Sequence, residues 1–450
     1  MGELLATNQR SVIFGYGVTG KSVARYLDSC GENFVAIDSR EDIALKQHFS
    51  QHFPGRRILL GEPDLELIHS ARRIILSPGI ARNTPFVAAA IDMGVDVVND
   101  IALFLRAAQK PVLGVTGSNG KSTVVTLLAK VLEAAGKRVA LGGNIGTPAL
   151  DLLQQPEVDV YVLELSSFQL ECLDKLGLHA ACLLNVTPDH MDRYPSLQAY
   201  CMSKHRIFRG AKNVIFNGDD ALAVPPIIEG VKRSRFSMAG SAAGESPSFC
   251  FNRGSGQILY QGKPILETAT LKLVGEHNIE NAMAVCALAE SLDIDLALVA
   301  KALADFPGLP HRCQWIAEIN GVTFINDSKG TNVGATAAAI KGLRRQYSGL
   351  VLIAGGEAKG ADFRALGELI SQQVKALITI GKHGAALASA VGQGAIPQFN
   401  ASSMTQAVSI AQQQAQTGEA VLLSPACASF DMFDSYEHRG NAFVEAVGKL

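Results

Sequence analysis

A chain of 450 residues that is 48% hydrophobic and 18% charged is too long for one core and too apolar for a disordered scaffold, so two or three globular domains are expected. Forty basic against forty-two acidic residues leave a formal net charge of -2, which offers no basic field for nucleic acid or an anionic membrane. Eight cysteines without a CxxC pair or metal-finger spacing read as buried free thiols. With no leader-like apolar core and no run of about 18 apolar residues, a cytoplasmic protein is expected.

Along the chain a short apolar run, a glycine or polar turn and a helical stretch alternate, the signature of βα units and largely parallel sheets. Ligands collect at the carboxyl ends of such strands, so the polar residues just after each apolar run are where chemistry is expected. The first block reaches to about Asn99, with strands at SVIF, FVAID and RIILS. Its first turn, Gly15-Tyr16-Gly17-Val18-Thr19-Gly20, opens a helix, and Asp38 ends the next strand. That is the shape of a dinucleotide fingerprint, although the same turn serves any nucleotide diphosphate, so a nicotinamide cofactor is one reading among several.

The second block begins with PVLGVTGSNGKST, and Gly114 to Thr123 resembles a phosphate-binding loop. Gly117 and Gly120 let backbone N–H groups approach phosphate oxygens, Lys121 adds a point charge, and Ser122 or Thr123 can ligate magnesium. The strict GxxxxGK[ST] pattern would place glycine at Val115, and a tight strand-to-helix turn is the plainer alternative. Glu164 ends the strand of VYVLELSS, where a nucleotide-binding sheet offers a carboxylate to the metal on ATP or merely caps a helix. His190 in NVTPDHMD and Lys204 in SKHR follow; alone each reads as a surface residue, and their place on the same edge raises both. The Gly/Ser-rich stretch from Gly240 to Gly262 reads as a loop and small β-hairpin. Gly275-Glu276-His277-Asn278 precedes a helix, where Asn and His contact a purine edge or cap the helix.

The third block carries strand-end clusters at Asp327-Ser328-Lys329-Gly330-Thr331-Asn332, at Gly355-Gly356 with Lys359, and from Ser424-Pro425 to Ser429-Phe430. Such clusters bind an anionic zwitterion or form ordinary turns.

Taken in order, GYGVTG, GSNGKST, GNIG, ELSSFQL, NDSKGTN and SPACASFDMF resemble the Mur ligase superfamily over essentially the whole chain, and the DSK-containing motif favours its glutamate-adding branch. The resemblance implies a three-domain α/β protein: a Rossmann-like UDP-sugar domain over 1–99, a central P-loop ATPase-type domain over 100–309, and a Rossmann-like amino-acid-binding domain over 310–450. It implies a monomeric ligase that uses ATP and Mg2+ to join D-glutamate to UDP-N-acetylmuramoyl-L-alanine through an acyl phosphate, in peptidoglycan precursor synthesis. A sibling ligase adding another amino acid, a nicotinamide-dependent dehydrogenase and a nucleotide sensor are the rivals.

Residue by residue, the resemblance gives Val18 and Thr19 to the UDP phosphates, and Asp38, Ser39 and Arg40 to the uracil. Ser77, Gly79, Asn144 and His190 match further UDP-sugar contacts. Gly117, Ser118, Asn119, Gly120, Lys121, Ser122 and Thr123 go to the ATP phosphates, and Asn278, Arg312 and Asp327 to the adenosine and phosphates. Ser122, Glu164, His190 and Lys204 fall around the metal, and Lys121, Lys204 and His190 are read as catalytic, Lys204 matching a carbamylated lysine. Thr331, Lys359, Ser429, Phe430 and Tyr436 match the amino-acid pocket, with Lys329 beside it. Between the second and third blocks, FPGLPHR reads as a hinge over which the last domain closes, or as a simple turn.

Overall fold

The computed structural model describes residues 10–226, 230–239, 248–271, 275–306, 308–358 and 360–450. Lys359 of the expected amino-acid pocket, Pro307 of the expected hinge and residues 240–247 of the Gly/Ser-rich stretch lie outside them.

Three sheets organise the described residues. The first holds β1 (Arg10–Phe14), β2 (Phe34–Asp38), β3 (Arg57–Leu60), β4 (Ala71–Leu76) and β5 (Asp96–Val98) in the order β3-β2-β1-β4-β5, all parallel. Val12, Ile13, Val35 and Ala36 are buried because helices cover both faces, as a parallel sheet requires. Strand order reverses at β1, and the cleft between the ends of β1 and β4 is where a ligand fits. The fingerprint glycines are steric necessities. A Cβ on Gly20 would lie 1.9 Å from the Gly15 carbonyl oxygen, and one on Gly15, whose φ is +95°, 2.8 Å from Ser77 Cβ.

The central sheet holds β6 (Val112–Thr116), β7 (Val139–Gly143), β8 (Val160–Glu164), β9 (Ala180–Leu183), β10 (Asn213–Asn217), β11 (Lys232–Ser237), β12 (Phe249–Asn252), β13 (Gln257–Tyr260) and β14 (Lys263–Glu267). The order is β14-β13-β12-β11-β10-β9-β6-β8-β7, parallel from β7 to β12 and antiparallel over the last two pairs. The expected hairpin is therefore a three-stranded extension of the sheet. It is joined through Phe236↔Phe249, and its Phe249 and Ile258 are fully buried in the core that includes the alanine-rich helix Glu276–Glu290.

The last sheet holds β15 (Gln314–Ile319), β16 (Val322–Asn326), β17 (Leu350–Gly355), β18 (Ala376–Ile380), β19 (Gln398–Asn400) and β20 (Ala420–Leu423), in the order β15-β16-β20-β17-β18-β19. Only β15 runs antiparallel. Because β16, β20 and β17 are neighbours, the NDSKGTN, SPACAS and GGEA turns emerge side by side.

One apolar cluster runs from Ile13 and Val98 of the first sheet, through Ile101 and Phe104 of the connecting helix Asp100–Ala107, to Leu163 and Phe216 of the second. The last sheet has its own two clusters. The first two units are thus joined by core, whereas the third meets the central one through polar groups such as Asn332.

Candidate active site

The central strand β6 runs into the phosphate-binding loop, and the helix Lys121–Ala134 starts directly after it. Val115 is a buried strand residue paired with Glu164 and Cys182, so the loop begins later than the strict pattern assumes, at Gly117. Gly117 has φ +156° and Gly120 φ +85°, and a Cβ on Gly120 would meet Asn281 Oδ1 at 2.6 Å. The segment after β9 laces the loop in place. Asn119 N donates to Asn185 Oδ1 at 2.8 Å, Ser118 Oγ to the Thr187 carbonyl at 2.9 Å, and Thr187 N to Ser118 Oγ at 3.0 Å.

Lys121 Nζ folds back onto the Gly117 and Ser118 carbonyls at 2.8 and 3.0 Å. Lys204 is buried behind the loop and donates to the same Gly117 carbonyl at 2.8 Å, with its ammonium 4.4 Å from the centre of the Tyr200 ring. Burial, then Lys121, pushes the Lys204 pKa well below the usual lysine range, and burial lowers that of Lys121 also. Glu164, at the end of β8, accepts Asn144 Nδ2 on Oε1 at 2.7 Å, while its buried Oε2 has no hydrogen-bond partner among the described residues. No group of three or more His, Cys, Asp or Glu among those residues is arranged to hold a metal. A cation here would therefore rely on one carboxylate, hydroxyls and ligand phosphates, the way magnesium is held on nucleotides. Glu164 Oε2 is the oxygen left over for it.

A cavity of about 340 Å³ lies over this loop. It gathers Ser118 to Thr123, Glu164 and His190 from the central domain, Asn278 from its last long helix, and Arg312, Asp327, Lys329, Thr331 and Tyr436 from the C-terminal side. Asp327 is buried, and its carboxyl is raised to about 6 by that burial, with Ser424 Oγ donating to it at 2.7 Å. The Lys329 ammonium sits 3.5 Å from the Tyr436 ring centre and is lowered to about 8 by burial and by Arg312. His190, with φ +56°, packs edge-on to Phe168. A second cavity, about 490 Å³, is lined by Val18, Thr19, Asp38, Ser39, Arg40, Ser77, Gly79 and Asn144. Asn144 lines both, so the two cavities meet at the residue that holds Glu164.

Three domain descriptions match along the chain: "Mur ligase MurD-like, N-terminal domain" over 9–99, "Mur ligase middle domain" over 115–289 and "Mur ligase, glutamate ligase domain" over 311–427. The chain is 46% identical to proteins from Saccharophagus degradans and Teredinibacter turnerae, in each case over 100% of both chains, and both are named UDP-N-acetylmuramoylalanine–D-glutamate ligase. The chain belongs to the Mur ligase family. Solved structures agree on the fold of this Mur ligase. A pseudomurein peptide ligase from Methanothermus fervidus is 19% identical with a TM-score of 0.59, over 98% of this chain and 100% of that one. A UDP-N-acetylmuramate-alanine ligase from Thermotoga maritima is 18% identical with the same TM-score, over 98% and 99%.

In this Mur ligase the GYGVTG turn is not set up for a nicotinamide ribose. Asp38 Oδ1 accepts Arg40 N and Nε, and Oδ2 accepts Tyr16 N and Arg40 Nη2, so the carboxylate such a ribose would need is fully engaged. Ser429, which is buried, and Phe430, which is 66% exposed, line neither cavity. They follow Ala428, whose backbone bridges Glu357. Sequence reasoning missed Glu280 and Asn281, which share the cavity with His277 and Asn278. Glu280 lies three residues after His277 and Asn281 three after Asn278, and that helical spacing was the available signal. Burial raises Glu280 to about 7 and lowers His277 to about 4. It also missed Arg439, fully buried, which donates to Ser328 Oγ and O and to the Cys427 and Ala428 carbonyls, tying the NDSKGTN and SPACAS turns together. No described helix is long and apolar enough to cross a membrane.

Proposed function

We propose that this Mur ligase joins D-glutamate to the alanyl carboxylate of UDP-N-acetylmuramoyl-L-alanine with ATP hydrolysed to ADP and phosphate, dividing the work among domains over 1–99, 100–309 and 310–450. The observation that carries the reading is the meeting of the two cavities at Asn144, beside the buried carboxylate of Glu164. The names of the 46% identical relatives support the amino acid and the acceptor.

In this reading the acceptor carboxylate oxygen attacks the γ-phosphorus, the P–O bond to ADP breaks, and the glutamate amine displaces phosphate from the acyl carbon, losing a proton. The loop N–H groups and Lys121 oppose charge on the transferring phosphoryl group, and Arg312 adds a second cation across the cavity. Glu164 and Ser122 would hold Mg2+, with His190 and Lys204 nearby; when bound, the ion neutralises phosphate charge. Val18, Thr19, Ser77 and Gly79 hold the UDP end, with Ser39 and Arg40 at the base and Asp38 fixing Arg40 there. Thr331 and Tyr436 receive the amino acid beside Lys329, and Lys359, together with Ser429 and Phe430 from outside both cavities, completes that pocket.

The test offers purified protein UDP-N-acetylmuramoyl-L-alanine, ATP and Mg2+ with a panel of amino acids and reads product mass. Phosphate release and a D-glutamate adduct are expected only when acceptor and amino acid are both present. An adduct with lysine, diaminopimelate or alanine and none with D-glutamate would reassign the chain to a sibling ligase.

A further inference from the structure

The wall of the second cavity opposite GYGVTG is the turn Ser77-Pro78-Gly79-Ile80. It is fastened from inside by Ser77 Oγ, which donates to the Gly15 carbonyl at 2.8 Å. From outside it is fastened by a residue of the central domain. Arg193 Nη1 donates to the Pro78 carbonyl at 2.9 Å and Nη2 to the Ile80 carbonyl at 3.5 Å.

That guanidinium is itself pre-set. Its Nη2 also donates to Glu171 Oε2 at 3.0 Å, its Cζ lies 4.0 Å from the Phe168 ring centre, and its side chain is 16% exposed. Tyr194 OH donates to the other oxygen of Glu171, and Arg82, from the N-terminal domain, donates to the Glu171 carbonyl at 2.9 Å. Arg193 is also three residues from His190, whose carbonyl accepts its N–H at 3.0 Å, so one short segment reaches both cavities.

No described peptide bond is cis. Within a planar trans peptide the N–H points opposite to the C=O, so turning the Pro78 carbonyl to Arg193 turns the Gly79 N–H away from it. Gly79 lines the cavity. We propose that Arg193, held by Glu171, is a positioning residue for the UDP-linked substrate: it sets the Pro78-Gly79 peptide so that its N–H serves acceptor oxygens of that ligand, and it leaves ATP binding alone. This rests on reading the second cavity as the UDP site.

The experiment uses the full-length enzyme and the variants Arg193→Ala, Arg193→Lys and Glu171→Gln, with steady-state phosphate release, thermal melting, and melting shifts caused by UDP alone. For Arg193→Ala the KM for UDP-N-acetylmuramoyl-L-alanine rises about tenfold, the loss expected for one charge-assisted hydrogen-bond network, while kcat and the KM for ATP stay within about twofold. Arg193→Lys, which keeps the charge and reaches one carbonyl, recovers part of that affinity. Glu171→Gln shows a smaller rise in the same KM, and it together with Arg193→Lys carries the test if Arg193→Ala does not fold. An unchanged KM for the UDP-linked substrate in the variants overturns the proposal. So does a fall in kcat with the melting temperature at unaltered KM, because that is the mark of fold support alone. If UDP fails to shift melting of the wild type, the cavity reading itself falls, and the proposal with it.

Discussion

Lys121 and Lys204 place their side-chain nitrogens on one acceptor, the backbone carbonyl of Gly117, each at 2.8 Å. Two ammonium groups sharing a single buried dipole repel one another, and burial depresses both. The downward shift is the larger for Lys204, where Lys121 adds to the effect of burial, and this eases loss of a proton from the Lys204 amine.

In the proposed mechanism Lys121 opposes charge on the transferring phosphoryl group, and replacing it with alanine removes that cation. Turnover is expected to fall about 10²- to 10³-fold, with the melting temperature and UDP-substrate affinity nearly unchanged. Coupled phosphate release and titration calorimetry with the UDP-linked substrate check both halves, and near-normal turnover would remove the loop from the mechanism.

A neutral Lys204 can attack carbon dioxide, forming an N–C bond and releasing a proton to leave a carbamate anion, which approaches magnesium where an ammonium is repelled. The rate is expected to drop in bicarbonate-free buffer, to recover when bicarbonate is added, and to fall as pH drops through the depressed Lys204 pKa. Carbon-13 NMR after labelling with bicarbonate reads the carbamate; an unmodified amine in fully active enzyme dismisses it.

Asn332 caps the helix Val333–Leu343 by accepting Ala335 N at 2.8 Å, and its amide donates to Asn119 Oδ1 at 3.2 Å and Asp189 Oδ2 at 3.4 Å. Asn332→Asp keeps the cap and sets a carboxylate against Asp189. A roughly tenfold loss in kcat is expected from about 1.4 kcal/mol of weakened docking, with a larger radius of gyration in the presence of ATP analogue and UDP-substrate. Identical scattering and turnover would show that this contact plays no part in closure.

Asp100 is 2% exposed, one of its oxygens has no partner among the described residues, and burial raises its carboxyl to about 6 from the ordinary 3.8. The folded chain holds that proton more tightly than the unfolded one. The associated stability is present below about pH 4 and lost as pH rises through 6. Asp100→Asn is therefore expected to gain on the wild type by up to about 3 kcal/mol between pH 4 and pH 7, read by urea denaturation at each pH. A pH-independent difference would mean the carboxyl is ionised throughout.

The architecture was legible because apolar runs such as SVIF and FVAID became β1 and β2, and polar residues after them lie at strand ends. The residues given to UDP from Val18 to Asn144 meet in one cavity, and most given to ATP meet in the other. Arg193 and Arg439 were illegible for a shared reason: each donates to a main-chain carbonyl distant in sequence, Pro78 and Ser328 respectively, and a carbonyl carries no residue signature. The extra strands β12 to β14 were underestimated because glycine and serine flank them, while the pairing of Phe249 with Phe236 that anchors them is tertiary.

The cavity over the phosphate loop borrows one wall from the NDSKGTN turn, and that wall is tied to the loop by an amide and not by core packing. In the proposed reading spent nucleotide lies behind that wall, and its release is expected to be eased when the C-terminal domain swings away. On that reading, a molecule that bridged Asn119 and Asn332 is expected to slow the enzyme after chemistry, an inhibition that more ATP would not relieve.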